Sequence, residues 1–347
     1  MSQKLDIKSF DIDKLKDMLK DLSQPSFRAN QIFDWLHKKR VYTFSEMTNL
    51  SEELRNTLDS QCFIQSLEIK KKLTSKLDGT VKYLFELSDK EYVETVLMKY
   101  KYGYSICVSS QVGCKMGCEF CASTKAGFVR NLTPSEILEQ VYKAEEDMGV
   151  HISHIVVMGI GEPLDNFENV TEFLKLINSP LGANISLRNI SVSTCGVVDK
   201  IIELAKLKLG ITLSISLHAS DDKTRSKIMP INRRYNIETL LKACDDYTEK
   251  TGRRISFEYA LIKGENDSID EAKRLVKLLK GKLCHVNLIP VNYVKEAGFE
   301  KSDKQSVILF RDTLLRYGIN TTVRRTLGSD IEAACGQLRR DNLTEVK

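Results

Sequence analysis

Three cysteines lie within eight residues, at a spacing that fits one metal centre. They are Cys114, Cys118 and Cys121 in a C-x3-C-x2-C run, and Gly113 and Gly117 let the backbone wrap tightly around a shared centre. A structural zinc site takes four ligands, and a ferredoxin cluster takes four thiolates. Three thiolates would leave one iron of a 4Fe–4S cluster open to chelation by a small molecule. The spacing also permits a zinc knuckle that takes its fourth ligand from a distant Cys or His.

Further candidate site residues lie where predicted strands end. Gly161 and Glu162 follow one strand, where a glycine lets the backbone approach a ligand and a carboxylate can accept hydrogen bonds from an ammonium group. Later strands end in a second set of candidates: Ser193, Ser216, Leu217, His218 and Asn292. A histidine at a strand end can bind a metal or act as a base. We expect His218 to hydrogen-bond a cofactor instead.

Composition limits the classes of protein that the chain can belong to. Its 347 residues allow one large domain and a smaller one. Nine irregularly spaced cysteines argue against a secreted disulfide framework and predict a reducing, cytoplasmic location. No apolar run approaches the roughly 18 residues of a membrane span, so no membrane partner is expected. The net charge of +5 permits a polyanionic partner without requiring one.

The first part of the chain predicts two small units. Residues 1–60 should form short amphipathic helices of an accessory domain, one of them with Leu15 and Leu19 on its apolar face and another capped by Ser51. Residues 61–103 are rich in β-branched and aromatic residues, and Asp78-Gly79 is a hairpin-turn signal. This segment therefore predicts an antiparallel β-ribbon linker.

Strands and helices alternate over residues 104–340. The first helix has a T-x-x-E capping box at Thr133 and Glu136, with Pro134 at its first position and Gly149 after its end. Six β/α repeats of this length predict an α/β fold with a parallel sheet and outer helices, open or partly closed as a barrel. Ligands bind at the carboxyl edge of such sheets, where the cysteine loop follows the first strand. Residues 341–347 are predicted to be a tail.

The cysteine run, with the aromatic Phe120 before its last cysteine, resembles the signature of radical S-adenosylmethionine (SAM) enzymes. The resemblance implies a partial (β/α)6 radical SAM barrel in which the amino and carboxylate groups of SAM chelate the open iron. It also implies a set of SAM contacts: Gly161, Glu162, Ser193, Ser216, Leu217, His218 and Asn292. That superfamily usually has Trp-Asn-Pro where residues 291–293 read Val-Asn-Tyr, which keeps the Asn contact and leaves the loop shape open.

Longer motifs narrow the resemblance to one family. Residues 93–96, 107–114, 127–132 and 330–338 together resemble the radical SAM methyltransferases that act on adenine C2 in large-subunit (23S) ribosomal RNA and in transfer RNA. The likeness runs from about residue 27 to residue 338. A related family methylates adenine C8 and confers antibiotic resistance. It usually has Gly-Glu-Ala where residues 161–163 read Gly-Glu-Pro, so C2 is favoured.

The resemblance also implies roles for residues away from the cysteine loop. Adenine C2 is electron-poor and cannot attack a SAM methyl group, whereas a carbon radical can add to it. Cys335 would take a methyl group from one SAM, and a radical from a second SAM would abstract hydrogen from that methyl group. After addition to C2, Cys107 would attack Cys335 in a transient disulfide, while Glu94 or Cys107 removes the C2 proton. A low-potential donor such as flavodoxin or ferredoxin would supply electrons.

One rival comes from another class, a non-catalytic RNA-binding protein with a structural zinc site. The anaerobically purified protein would then be colourless, whereas an iron–sulfur protein is brown. Candidate phosphate contacts are the four cations Lys38, Lys39, Arg40 and Arg130. The cysteines predicted to be ordinary core residues are Cys62, Cys195, Cys244 and Cys284.

Overall fold

The computed structural model describes residues 4–291 and 298–333. The strands are β1 Leu5–Asp6, β2 Cys62–Phe63, β3 Glu68–Thr74, β4 Val81–Glu86, β5 Tyr92–Tyr100, β6 Gly103–Cys107, β7 Gln111–Gly113, β8 Phe128–Asn131, β9 Ile152–Val157, β10 Ile190–Thr194, β11 Thr212–Ser216, β12 Ile255–Leu261, β13 Cys284–Pro290 and β14 Thr321–Val323. The α-helices are α1 Ile12–Asp21, α2 Arg28–Asp34, α3 Glu52–Gln61, α4 Pro134–Met148, α5 Phe167–Asn178, α6 Val198–Lys206, α7 Asp222–Ile228, α8 Ile237–Thr251, α9 Ile269–Leu279 and α10 Lys304–Arg316.

One ten-stranded sheet organises the molecule, in the order β14-β13-β12-β11-β10-β9-β6-β5-β4-β3. Strands β6 and β9 to β14 pair in parallel, and helices follow the strands as the six predicted β/α repeats require. The predicted α/β fold is therefore confirmed. The sequence pattern missed β14, because three residues are too short for a periodicity signal, and it missed the seven-residue helix α7.

The predicted ribbon is a continuation of the same sheet. Strands β3, β4 and β5 pair antiparallel with one another and with β6, and Gly79 in the β3–β4 turn has a φ of 74°, as the hairpin signal requires. We call β3, β4 and β5 the strand extension. One of its faces packs Tyr83, Phe85 and Leu97 into the main core.

The helices of the N-terminal region have a core of their own, and they pack against the barrel. Leu15, Leu19 and Leu54 are buried in that core, and Ser51 caps α3 by accepting a hydrogen bond from the Leu54 amide at 3.3 Å. Lys8 and Glu139 of α4 form a fully buried ion pair at 2.8 Å. Residues that remain charged in a dry interface need such a partner, so this pair fixes where the helices dock.

Helix α4 is held at both ends as predicted, and it supports the site. Thr133 and Glu136 form the capping box, and Gly149 ends the helix with a φ of 61°. From the buried face of α4, the Gln140 side chain accepts a hydrogen bond from the Ser109 amide at 2.8 Å and donates one to the Ser109 carbonyl at 3.0 Å. Residue 109 lies between Cys107 and the cysteine loop, so α4 fixes the segment that joins the two.

Candidate active site

A pocket opens at the carboxyl edge of the parallel strands. Its volume is about 1030 Å³ including the open mouth, which is large enough for a nucleoside-sized ligand. It brings together eight of the predicted site residues: Cys114, Cys118, Cys121, Gly161, Glu162, Ser193, Ser216 and His218. Leu217 does not line the pocket, because its side chain is buried in the main core. Asn292 and Cys335 lie outside the described residues.

The cysteine loop is closed at its base by a short hairpin, β7 with β8. Gly113 sits at this base with a φ of 74°, and a Cβ there would lie 1.7 Å from the Gly127 carbonyl oxygen, so only glycine fits. Inside the loop, the Thr124 hydroxyl accepts from the Gly117 amide at 3.1 Å and donates to the Cys114 carbonyl at 3.3 Å. The loop is also tied to α7, because the Glu119 amide donates a hydrogen bond to the Ile228 carbonyl at 3.0 Å.

The three thiols suit a cluster better than a single ion. Among residues 4–291 and 298–333, no three Cys, His, Asp or Glu side chains could hold one metal ion, yet all three thiols line one pocket. A zinc ion needs its ligands within about 2.3 Å of itself, whereas the irons of a cubane cluster spread their thiolates further apart. Burial raises the pKa of Cys114 to about 12 and that of Cys118 well above its usual value. Binding a cationic cluster would therefore release protons.

Glu162 is fixed in the pocket wall by backbone amides. Its carboxylate accepts hydrogen bonds from the Cys195 amide at 2.7 Å and the Leu164 amide at 3.0 Å, and burial raises its pKa. Gly161 precedes it with a φ of 110°, and a Cβ there would lie 2.6 Å from the Gln111 Cβ. The glycine thus lets the segment after β9 cross closely over the start of β7, and this crossing places the carboxylate.

His218 is held in a single tautomer at the pocket edge. Its Nδ1 accepts a hydrogen bond from the Ala260 amide at 2.9 Å, so the neutral ring carries its proton on Nε2. Burial, together with the nearby Arg225 guanidinium, lowers the pKa of His218 to about 3. The Phe120 ring packs edge-on against the imidazole at 4.9 Å. A neutral donor in this position suits a hydrogen bond to a ligand, as the sequence predicts.

Sequence reasoning missed a buried arginine behind the pocket. Arg225 of α7 donates to the carbonyls of Cys195 at 2.7 Å, Ser216 at 3.1 Å and Leu217 at 3.1 Å. It thereby joins the ends of β10 and β11. Cys195, predicted to be an ordinary core cysteine, contributes its backbone to this wall. An N-cap signal at Asp221 could have revealed α7, but nothing local shows that its arginine is buried.

Two charged residues at the pocket were also missed. Glu258 and Arg324 line it, and the Glu258 carboxylate accepts hydrogen bonds from Asn287 at 2.7 Å and Ser256 at 3.1 Å. Burial raises the pKa of Glu258. Glu258 lies in the middle of a strand that is otherwise largely apolar, and this break in the pattern is a signal that could have identified it.

Glu94 and Cys107 lie outside the pocket, on the second face of the strand extension. We call this the inner face; it carries Lys82, Glu94, Val96, Met98 and Cys107. Residues 324–333, here called the C-terminal segment, cover it, with Leu327 and Ala333 packed in one cluster with Cys107. Met158 both contacts this cluster and lines the pocket, so the two groups of predicted residues adjoin.

The remaining residues singled out in the sequence are cysteines and arginines that lie outside the pocket or in its wall. Among the described cysteines, Cys62, Cys107, Cys195 and Cys244 are buried, whereas Cys284 and the three cysteines of the loop are partly exposed. Arg130 forms ion pairs with Asp89 and Glu136, and Arg40 pairs with Glu145, so both arginines join elements of the protein. Within the described ranges, no helix has the length and apolar character needed to cross a membrane.

The fold and the cysteine loop define the class of the protein. Residues 108–278 match the model of the Radical SAM superfamily, and residues 5–64 match that of the ribosomal RNA large subunit methyltransferase N-terminal domain. A radical SAM methyltransferase from Sphaerobacter thermophilus superposes with a TM-score of 0.91 at 39% identity, covering 97% of this chain and 100% of that one.

Curated relatives then identify the family. The "Probable dual-specificity RNA methyltransferase RlmN" of Clostridium novyi is 52% identical over 96% of this chain and 98% of its own length. The protein of the same name from Clostridioides difficile is 53% identical over 97% of this chain and 98% of its own length. The chain belongs to this family of radical SAM RNA methyltransferases.

Proposed function

We propose that this chain methylates C2 of adenine in large-subunit ribosomal RNA and in transfer RNA, in the cytoplasm. One observation carries the proposal: Glu94 and Cys107 share a face with the C-terminal segment that leads to Cys335, beside the pocket with the three cysteines. The name shared by the curated relatives supports two RNA substrates. The Gly-Glu-Pro sequence at residues 161–163 favours C2 over C8.

The pocket residues divide between two cofactors. Cys114, Cys118 and Cys121 would hold a 4Fe–4S cluster, since they lie together on one loop that lines the pocket. Six residues would bind SAM: Gly161, Glu162, Ser193, Ser216, His218 and Asn292. When bound, the cluster supplies the low-potential electron that cleaves SAM, drawn from a donor such as flavodoxin or ferredoxin. We propose two SAM molecules per turnover, one for the methyl group and one for the radical.

Three side chains then transfer the methyl group to adenine and release the product. The Cys335 thiolate takes the methyl group by displacement, and its methyl carbon, after losing one hydrogen atom, bonds to adenine C2. Glu94 accepts the proton that leaves C2, and the one electron that must leave with it would return to the cluster. The Cys107 thiolate attacks the Cys335 sulfur, and the electron pair of the sulfur–carbon bond leaves with the carbon, which takes a proton and becomes the methyl group. The resulting disulfide must be reduced before the next turnover.

The test compares variants of the two cysteines. Cys107→Ala can still be methylated at Cys335 and can still bond to C2, but it has no thiolate to release the product. We expect it to accumulate protein cross-linked to RNA through Cys335, visible as a gel shift that survives denaturation and mapped by mass spectrometry. Cys335→Ala and the double variant should form no cross-link.

A matched control is Cys284→Ala, because Cys284 is a half-buried thiol outside the pocket. It should turn over normally. Normal turnover by Cys107→Ala, or a cross-link in Cys335→Ala, would overturn the roles assigned to the two cysteines. Mass spectrometry of the product adenosines distinguishes 2-methyladenine from 8-methyladenine, and the second product would show that the chain acts on C8.

A further inference from the structure

A lysine that the sequence analysis did not single out lies in register with Cys107. Lys82 of β4 is paired with Val96 of β5, which is in turn paired with Cys107 of β6. Side chains directly opposite in an antiparallel sheet point to the same face, and residues two apart along a strand do the same. Lys82, Glu94 and Cys107 are therefore neighbours on the inner face.

The Lys82 ammonium contacts both the carboxylate and the segment above it. Its Nζ lies 3.2 Å from Glu94 Oε1 and 3.2 Å from the carbonyl oxygen of Glu332. The Lys82 and Glu94 side chains are only 4% and 2% exposed. An ammonium group this deeply buried costs several kcal/mol unless it is paired, so both contacts constrain where the amine lies.

Glu332 is three residues before Cys335, so the Lys82 contact ties the C-terminal segment to the sheet close to that cysteine in the chain. The same segment is tied further back to the tip of the β3–β4 hairpin. There, Asp330 accepts from the Ser75 hydroxyl at 2.6 Å and the Lys76 amide at 2.9 Å, while the Gly328 amide donates to Asp78 at 2.9 Å. The strand extension thus holds the segment at two places.

We propose that Lys82 is a positioning residue that sets the Glu94 carboxylate and the C-terminal segment, which leads to Cys335, in one arrangement. The inference rests on the proposed function, in which Glu94 takes the C2 proton and Cys335 carries the carbon. One ammonium group bonded to both the Glu94 carboxylate and the Glu332 carbonyl fixes the base relative to the segment that leads to Cys335. The strand extension is then part of the reaction machinery, because it carries the lysine that links the two.

The first test is Lys82→Met, which keeps the length of the side chain and removes its charge. We expect iron content and SAM cleavage to stay unchanged, because Lys82 does not line the pocket. Resolution of the Cys335–RNA adduct should slow by at least about 10-fold, since a positioned base contributes about 100-fold or more to a proton transfer. The readout is the ratio of cross-linked to methylated RNA over time. Wild-type resolution, or loss of SAM cleavage in a folded protein, would overturn the proposal.

Lys72→Met is the matched control. Lys72 lies on the neighbouring strand β3, pairs with Asp147 of α4 and is half-exposed, so the change removes a lysine from the same sheet away from the inner face. Resolution should stay at the wild-type rate in this variant. An equal slowing in both variants would mean that general loss of charge or stability is the cause, and would overturn the role of Lys82.

A double variant covers the case in which Lys82→Met does not fold. Lys82→Met/Glu94→Gln removes both charges of the pair, which proteins tolerate better than one unpaired buried charge. In the proposal, Lys82 matters only by placing the C-terminal segment relative to the Glu94 carboxylate. Once that carboxylate is absent, the double variant should resolve the adduct as slowly as Glu94→Gln alone, and a further slowing by an independent factor would overturn the proposal. The absence of any cross-link in Cys107→Ala would refute the proposed function itself, whatever Lys82 does.

Discussion

At the scale of single residues, buried charged side chains hydrogen-bond the backbone segments that form the pocket wall. Glu162 accepts from two amides, and Arg225 donates to three carbonyls at the ends of neighbouring strands. Charge-assisted hydrogen bonds are about twice as strong as neutral ones, so each residue fixes several loops. The cysteine loop is held by hydrogen bonds of its backbone, to Thr124 within the loop and to the Ile228 carbonyl of α7, and none of these bonds uses a cysteine thiol.

We therefore expect that a single cysteine of the loop can be replaced without unfolding the protein. Cys118→Ala should lose the iron and the brown colour together, because a cubane cluster with two thiolates is poorly held. The melting temperature of the iron-free protein should stay close to that of the iron-free wild type. Iron and sulfide analysis with visible absorbance checks the first expectation, and Cys284→Ala serves as the control. Full iron and sulfide in Cys118→Ala would remove this residue from the ligand set.

At the scale of elements, the site depends on loops that cross closely between strands. The segment after β9 crosses over the start of β7 at Gly161. The capping box of α4 fixes the start of the helix that places Gln140 against Ser109. The caps and the glycine are visible in the sequence. Their effect is to fix the direction of chain segments that carry site residues.

Gly161→Ala tests the crossing. The added Cβ would lie 2.6 Å from the Gln111 Cβ, at a φ of 110° that side chains rarely adopt, so the backbone must shift. Strain of this kind costs about 1–3 kcal/mol, and the shift should carry Glu162 away from the ligand. We expect SAM binding, measured by calorimetry, to weaken by at least about 10-fold, which corresponds to about 1.4 kcal/mol. Gly252→Ala is the control, since a Cβ there meets no atom within 4 Å; equal weakening by both would show that the crossing is irrelevant.

At the scale of the whole molecule, the N-terminal helices and the barrel share a buried polar interface. Lys8 pairs with Glu139, and His37 lies between the Phe33 ring at 4.2 Å and the Tyr142 hydroxyl at 3.4 Å. Burial, with help from the nearby Lys8 and Arg40 charges, lowers the pKa of His37 to about 3. The folded protein therefore keeps this histidine neutral.

The shift makes stability depend on pH. Between the ordinary pKa of 6.5 and the folded value of about 3, the unfolded chain binds a proton at His37 that the folded protein does not. Stability should therefore fall on acidification below about pH 6.5, with a slope for this residue that approaches about 1.4 kcal/mol per pH unit at the lower end of the range. In urea unfolding between pH 6.5 and pH 5, the free energy of unfolding of His37→Gln should fall less steeply with pH than that of wild type, because the variant lacks this group. Parallel pH profiles would show that His37 is not buried in its neutral form.

Much of this protein was predictable from the sequence because it depends on residues that are close together in the chain. The cysteine spacing, the capping box, the hairpin turn at Gly79 and the alternation of strands and helices are local, and the fold followed from them. Tertiary structure alone decided which distant groups meet. Lys82 reaches the Glu332 carbonyl across 250 residues, and Arg225 becomes the centre of a pocket wall only because β10, β11 and α7 converge. Nothing near either residue in the chain records its burial, since burial is set by how the whole sheet packs.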